Sequence, residues 1–180
     1  MTDVSMVQAA YWRGRLREAA LSALMALWVV ALGVFLADSF WVAAPFALAV
    51  VVEVFVLSFV GGVSGRQALP AVLLGVLPLS TALLAGMVGH ACTPSGCVSL
   101  CAPFCAAGGT VAGLLLSRMT LSSERPVISW LSGALLVTTT GAIGCACVGA
   151  GGVVGMGAGL LVSSALWLVR SWVTRPGRAA

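Results

Sequence analysis

The stretch WRGRLREAALSALMALWVVALGVFLA, residues 12–37, decides how this chain is read. Three arginines and a glutamate stop at Glu18, and the next nineteen residues carry no charge. Crossing roughly 30 Å of hydrocarbon takes about 20 mostly apolar helical residues, so residues 19–37 predict a transmembrane helix. A cleavable signal peptide does not fit. The lead of eighteen residues is long, and the next apolar run follows with no small-residue cleavage site between them.

The same test applied outward finds five more runs, at about residues 40–60, 68–89, 98–117, 127–148 and 152–172. The whole chain of 180 residues is 61% hydrophobic and 8% charged, against roughly 25% charged residues in soluble domains. The expected fold class is all-α, a polytopic membrane protein with a bundle of six transmembrane helices. Residues 1–18 form an N-terminal tail, 19–172 the membrane domain and 173–180 a C-terminal tail. The nine basic residues are all arginine. Arg13, Arg15 and Arg17 precede the first run, Arg66 follows the second, Arg118 and Arg125 follow the fourth, and Arg170, Arg175 and Arg178 close the chain. They fall in alternate loops, so the positive-inside rule places both termini in the cytoplasm. A multi-pass protein of the bacterial inner membrane is the expectation. Trp12, Trp41 and Trp172 fall near the expected interfaces, where indoles prefer to lie.

Short loops leave no extramembrane domain for a conventional active site, so neither an enzyme nor a cofactor is expected. The arginines are scattered rather than laid along one face, which argues against direct nucleic-acid binding despite the net charge of +4. The largest soluble element is the N-terminal tail. Its stretch VQAAYWRGRLREAA has helical periodicity, with Val7, Ala10 and Tyr11 on one side. Tyr11, Trp12, Arg13, Arg15 and Arg17 are the candidate residues for binding a cytoplasmic partner. A juxtamembrane helix whose arginines meet lipid phosphates is the plainer reading, and both can hold together.

Gly151, Gly155 and Gly159 recur every four residues, as do Gly109 and Gly113. Such faces let helices approach closely, either within the chain or in a homodimer. Thr138, Thr139 and Thr140 can bond back to their own helix or across to a neighbour. Glu53, in VVVEVFVLS, stands near the middle of the second run with no arginine at matching depth. An intramembrane carboxylate is costly and is either bonded to a neighbour or marks a pathway. The expectation is a protonated group or one bonded to Ser or Thr on a neighbouring helix. The alternative makes Glu53 the coupling residue of a small proton- or ion-coupled transporter or channel.

All six cysteines fall toward the expected non-cytoplasmic side: Cys92, Cys97, Cys101, Cys105, Cys145 and Cys147. Four of them, with His90, lie in GHACTPSGCVSLCAPFCAAGG. If helical, Cys97, Cys101 and Cys105 form a stripe whose neighbouring Cβ atoms lie about 5–6 Å apart, beyond the roughly 3.5–4.5 Å of a disulfide. Partners must then come from elsewhere, such as Cys145 or Cys147, while Cys92 and Cys97 could meet across TPSG. Structural disulfides or packing, a redox-responsive cluster, a metal site of His90 with Cys92 and Cys97, and a thiol- or metal-handling accessory role all remain open. The spacing does not match a zinc ribbon, and no resident metal is expected.

From GHACTPSGCVSL through SRMTLSSERP and LSGALLVTTTGAIGCAC to LLVSSALWLVRSW, the chain resembles the bacterial six-helix membrane anti-sigma factors. These include the NrsF-like group and, similar in overall plan, the myxobacterial light and carotenoid regulator CarR. Cys97 and Cys145 match that family's cysteines at the start of the fourth span and the end of the fifth. The resemblance implies a non-enzymatic regulator. Its cytoplasmic face would hold an extracytoplasmic-function sigma factor and release it on an oxidative or light-derived signal sensed at the periplasmic or membrane side.

Overall fold

The computed structural model describes residues 2–36, 40–88, 90–93, 96–99, 101–120, 123, 125–145 and 150–173, with side chains over 6–35, 40–62, 65–85, 102–120, 123, 125–144 and 152–166. Among the described residues there are six helices: α1 (Thr2–Leu36), α2 (Phe40–Val60), α3 (Gly62–Val88), α4 (Cys101–Thr120), α5 (Pro126–Cys145) and α6 (Ala150–Val173). A hairpin of two short strands, β1 (His90–Thr93) and β2 (Gly96–Ser99), joins α3 to α4. Among the described residues, four helical segments are long and apolar enough to cross a membrane: Met6–Phe35, Phe40–Val60, Gly65–Ala85 and Pro126–Gly144. In α6 the described apolar stretch is shorter, Gly152–Leu166. Arg118 lies in the last turn of α4.

Side-chain size is distributed as a lipid solvent requires. Small residues such as Ala26, Ala43, Ala71 and Ala112 are buried, while Trp28, Phe35, Trp41 and Leu161 point outward. A soluble helix keeps one apolar stripe inside and polar residues outside. Here the outer surface is itself apolar, and close approach of small residues holds the interior together. The chain is therefore a membrane protein.

Helices α3 and α5 form the centre. Against one side lie α1 and α2, sharing a core of Val30, Val50, Val54, Val72, Leu136 and Ile143. Against the other lie α4 and α6, around Ala112, Leu116, Val137, Met156 and Leu160. Contacts fix the directions. Gly75 lies against Thr140 and Gly144 against Leu79, so α3 and α5 run parallel. Gly155 lies against Ala102 and Gly113 against Leu160, so α4 and α6 run parallel as well.

The two glycine faces foreseen from sequence meet each other. A Cβ at Gly109 would strike the Met156 backbone, and one at Gly159 would strike the carbonyl of Ala106. Gly109, Gly113, Gly155 and Gly159 are thus taken up by contact inside the chain; the side of α6 at Gly151 lies outside the described residues. Of the three threonines, Thr138 bonds back to Ala134 O at 2.7 Å, Thr139 reaches across to α2, and Thr140 is buried against Gly75.

The helical periodicity of VQAAYWRGRLREAA continues without a break into the first apolar run, and α1 is one helix of 35 residues. The start of the fourth helix needs correction. Residues 98–99 belong to β2, so α4 starts at Cys101 rather than at 98. Cys97 therefore lies in a strand, and no three-cysteine helical stripe exists. The physical reason is the turn chemistry of TPSG, which suits reversal of two short extended segments. Pro103 sits in the first turn of α4, where its missing N–H leaves no helical bond unmade.

Candidate functional site

The described arginines gather at one end of the bundle. Arg15 of α1 and Arg66 of α3 line one cavity. Ser129 of α5 donates to Gln67 beside Arg66, Arg118 lies in the last turn of α4, and Arg125 directly precedes α5.

At this end α1 is fastened to the tip of α2. Phe59 is the next-to-last residue of α2, so its carbonyl has no partner within its own helix. Arg15 Nη2 donates to that oxygen at 2.6 Å, placing a cation at the negative end of the helix dipole. Trp12 stacks on the Phe59 ring with centroids 5.6 Å apart and planes 27° apart. Phe59 in turn stacks on Phe55 at 6.1 Å and 6°. Tyr11 meets Trp12 edge-on at 5.6 Å, and Arg15 Cζ lies 6.0 Å from the Tyr11 ring centre.

The turn after α2 makes room for this. Gly61 has φ 73° and Gly62 φ 69°, a left-handed conformation open to glycine. Gly61 N–H donates to Leu57 O at 3.0 Å, capping α2. A Cβ on Gly61 would overlap the Arg15 guanidinium, so the same glycine sets both the turn and the arginine seat.

A cavity of about 200 Å³ opens there, lined by Arg15, Glu18, Ser22, Ser58, Gly61 and Arg66 among others. Ser58 is 6% exposed and lies at its floor, whereas Glu18 and Arg66 are exposed at its mouth. Ser58 Oγ and Arg15 Nε are buried without a hydrogen-bond partner in the chain.

The candidate partner-binding residues therefore divide. Trp12 and Arg15 are engaged with α2, while Arg13 and Arg17 are exposed and Tyr11 is 58% exposed. Sequence reasoning missed Ser58, Gly61 and Gly62. The glycine pair between two apolar runs was a visible turn signal, but a serine within an apolar run carries no mark of facing a cavity.

Deeper in the bundle, Thr139 Oγ1 donates to Glu53 Oε2 at 2.8 Å, joining α5 to α2. The same hydroxyl lies 3.0 Å from Leu135 O, so its single proton has a competing acceptor on its own helix. Glu53 has the threonine neighbour expected of it.

The opposite end carries the cysteines. In the hairpin, Cys92 and Cys97 are Cα partners, as are His90 and Ser99. Cys101 opens α4 and Cys145 closes α5. The side chains of His90, Cys92, Cys97, Cys101 and Cys145 lie outside the described residues, as does Cys147 altogether. Cys105 is fully buried in the core beside α6. Burial there shields its thiol from solvent. Among the described residues, no group of three or more His, Cys, Asp or Glu side chains is placed to hold a metal ion.

These features define a helical membrane protein with a polar junction at one end of its bundle and a cysteine-bearing hairpin at the other. No protein-family model, curated protein or solved structure matches the chain.

Proposed function

We propose that the protein is a membrane-bound anti-sigma factor. It is a non-enzymatic regulator with six spans in the bacterial inner membrane and both termini in the cytoplasm. It sequesters an extracytoplasmic-function sigma factor and releases it on an oxidative or light-derived signal received at the periplasmic or membrane side.

The observation that carries this reading is the geometry of α1. Its 35 residues extend about 52 Å, roughly 20 Å more than the hydrocarbon needs. The excess is a helix bearing Tyr11, Arg13 and Arg17 on exposed positions, suited to docking an acidic face of a partner. The Arg15 bond to Phe59 O ties that helix to the tip of α2. Through that tie, a signal that shifts α2 against α1 would move the docking face, and the proposed switch is between two such arrangements. The resemblance of residues 68–172 to membrane anti-sigma factors, with the positive-inside pattern of arginines, supplies the class of partner and the orientation.

The test is co-purification of the full chain with extracytoplasmic-function sigma factors of its own genome, each co-expressed singly. Retention of one of them, lost when Arg13 and Arg17 are both replaced by alanine, supports the proposal. Retention of none counts against it.

A further inference from the structure

The cavity at the Arg15 junction is built from both signs of charge. Arg15 and Arg66 stand on one side of the ledger of charges and Glu18 on the other. Two of its donors, Ser58 Oγ and Arg15 Nε, are buried with no acceptor in the chain. Leaving such donors unmet costs about 1–3 kcal/mol each, so the cavity favours an occupant that brings oxygen acceptors. Arg15 is held in place by Phe59 O, in space that a Cβ on residue 61 would fill. At about 200 Å³ the space is that of a small polar group rather than a folded segment. It lies where the apolar runs of α1 and α2 give way to arginines, the depth at which lipid headgroups lie.

We infer that this cavity binds the headgroup of an aminophospholipid, its phosphate held by Arg15, Arg66 and Ser58 and its ammonium by Glu18. The two arginines and the serine hydroxyl are all donors, as phosphate oxygens need. Glu18 is an acceptor that repels a second anion and attracts the ammonium of phosphatidylethanolamine. A headgroup without a cation, such as phosphatidylglycerol, satisfies the arginines but leaves Glu18 beside the phosphate uncompensated. The inference rests on the membrane assignment and is independent of the sigma-factor reading.

The experiment is native mass spectrometry of the full chain in a non-ionic detergent. It is titrated with phosphatidylethanolamine or phosphatidylglycerol of identical acyl chains, and separately with inorganic phosphate as competitor. Glu18 and Arg66 are exposed, so Glu18→Gln and Arg66→Gln leave the packing intact, and melting temperatures recorded alongside verify this. The expected result is one saturable phosphatidylethanolamine per chain, preferred over phosphatidylglycerol. Arg66→Gln weakens both lipids about fivefold, and Glu18→Gln abolishes the preference while retaining binding. Equal binding of the two lipids by the unaltered protein would overturn the inference. So would an Arg66→Gln variant that binds like the parent, or displacement by inorganic phosphate at the concentration at which the lipid binds.

Discussion

Arg15 and Phe59, forty-four residues apart in sequence, are joined by a guanidinium-to-carbonyl hydrogen bond of 2.6 Å that fastens α1 to the last turn of α2. The bond answers a specific deficiency, since Phe59 O lies among the carbonyls a helix cannot satisfy itself. It also depends on a third residue, because only glycine at 61 combines the left-handed turn with space for the guanidinium.

Gly61→Ala tests that dependence. A left-handed alanine costs about 1–2 kcal/mol, and its Cβ displaces Arg15 as well. The expected outcome is a lower melting temperature in detergent, with faster proteolysis N-terminal to Glu18. Gly62→Ala meets no atom within 4 Å, so it bears the conformational cost alone and should lower the melting temperature less. Equal effects at the two glycines would contradict the seat proposed for Arg15.

The α4–α6 contact makes a second contrast. Gly159→Ala drives a methyl against the Ala106 carbonyl and should destabilise by about 2 kcal/mol, the range for overpacking. Gly157→Ala meets nothing within 4 Å and should be neutral or stabilising, since alanine is about 0.5–1 kcal/mol better than glycine in a helix. Thermal unfolding in detergent separates the two. If the glycine face served a homodimer instead, Gly159→Ala would alter the oligomeric state and leave the monomer's stability unchanged.

Thr139→Val removes the donor to Glu53 while keeping shape. A loss near 0.6 kcal/mol is expected, about the mean for hydrogen bonds between membrane helices. Glu53→Gln keeps an acceptor for Thr139 and should leave both stability and sigma-factor retention near those of the parent. Proton or ion flux into proteoliposomes that Glu53→Gln abolishes would favour the transporter reading instead.

The hairpin register makes a prediction about the thiols. Antiparallel Cα partners lie about 4.5–5.5 Å apart, within the span a disulfide bridges. Under oxidation, peptide mapping should recover Cys92 crosslinked to Cys97. Cys105, buried in the core, should resist alkylation until the protein is unfolded. Prompt labelling of Cys105 in the folded protein would contradict its placement.

Helices were legible where a long apolar run ended in charge or glycine. Residues 40–60 coincide with α2, because Phe40 starts the run and Gly61 ends it. The hairpin was not, because CVSLCAPFC is apolar enough to continue a helix and only TPSG speaks against it. The polar lead was legible as a helix by its periodicity, though not that it joins the first apolar run in a single helix of 35 residues. At the candidate site, Arg15 stood out by its charge and Glu53 by its depth. Ser58 did not, because its significance comes from a cavity it shares with Arg66 across the following turn and with Arg15, which chain folding brings in from a distant position.

The central claim is that the N-terminal part of α1 holds a sigma factor. Its most direct test places a photo-crosslinking residue at position 13 or 17 of the full-length protein in bacterial membranes and identifies the crosslinked product. The account predicts a covalent adduct with an extracytoplasmic-function sigma factor, formed at both positions and lost when the inducing signal is applied. Adducts with lipid alone at both positions, with the sigma factor uncrosslinked and its promoter equally active with and without the protein, would contradict it.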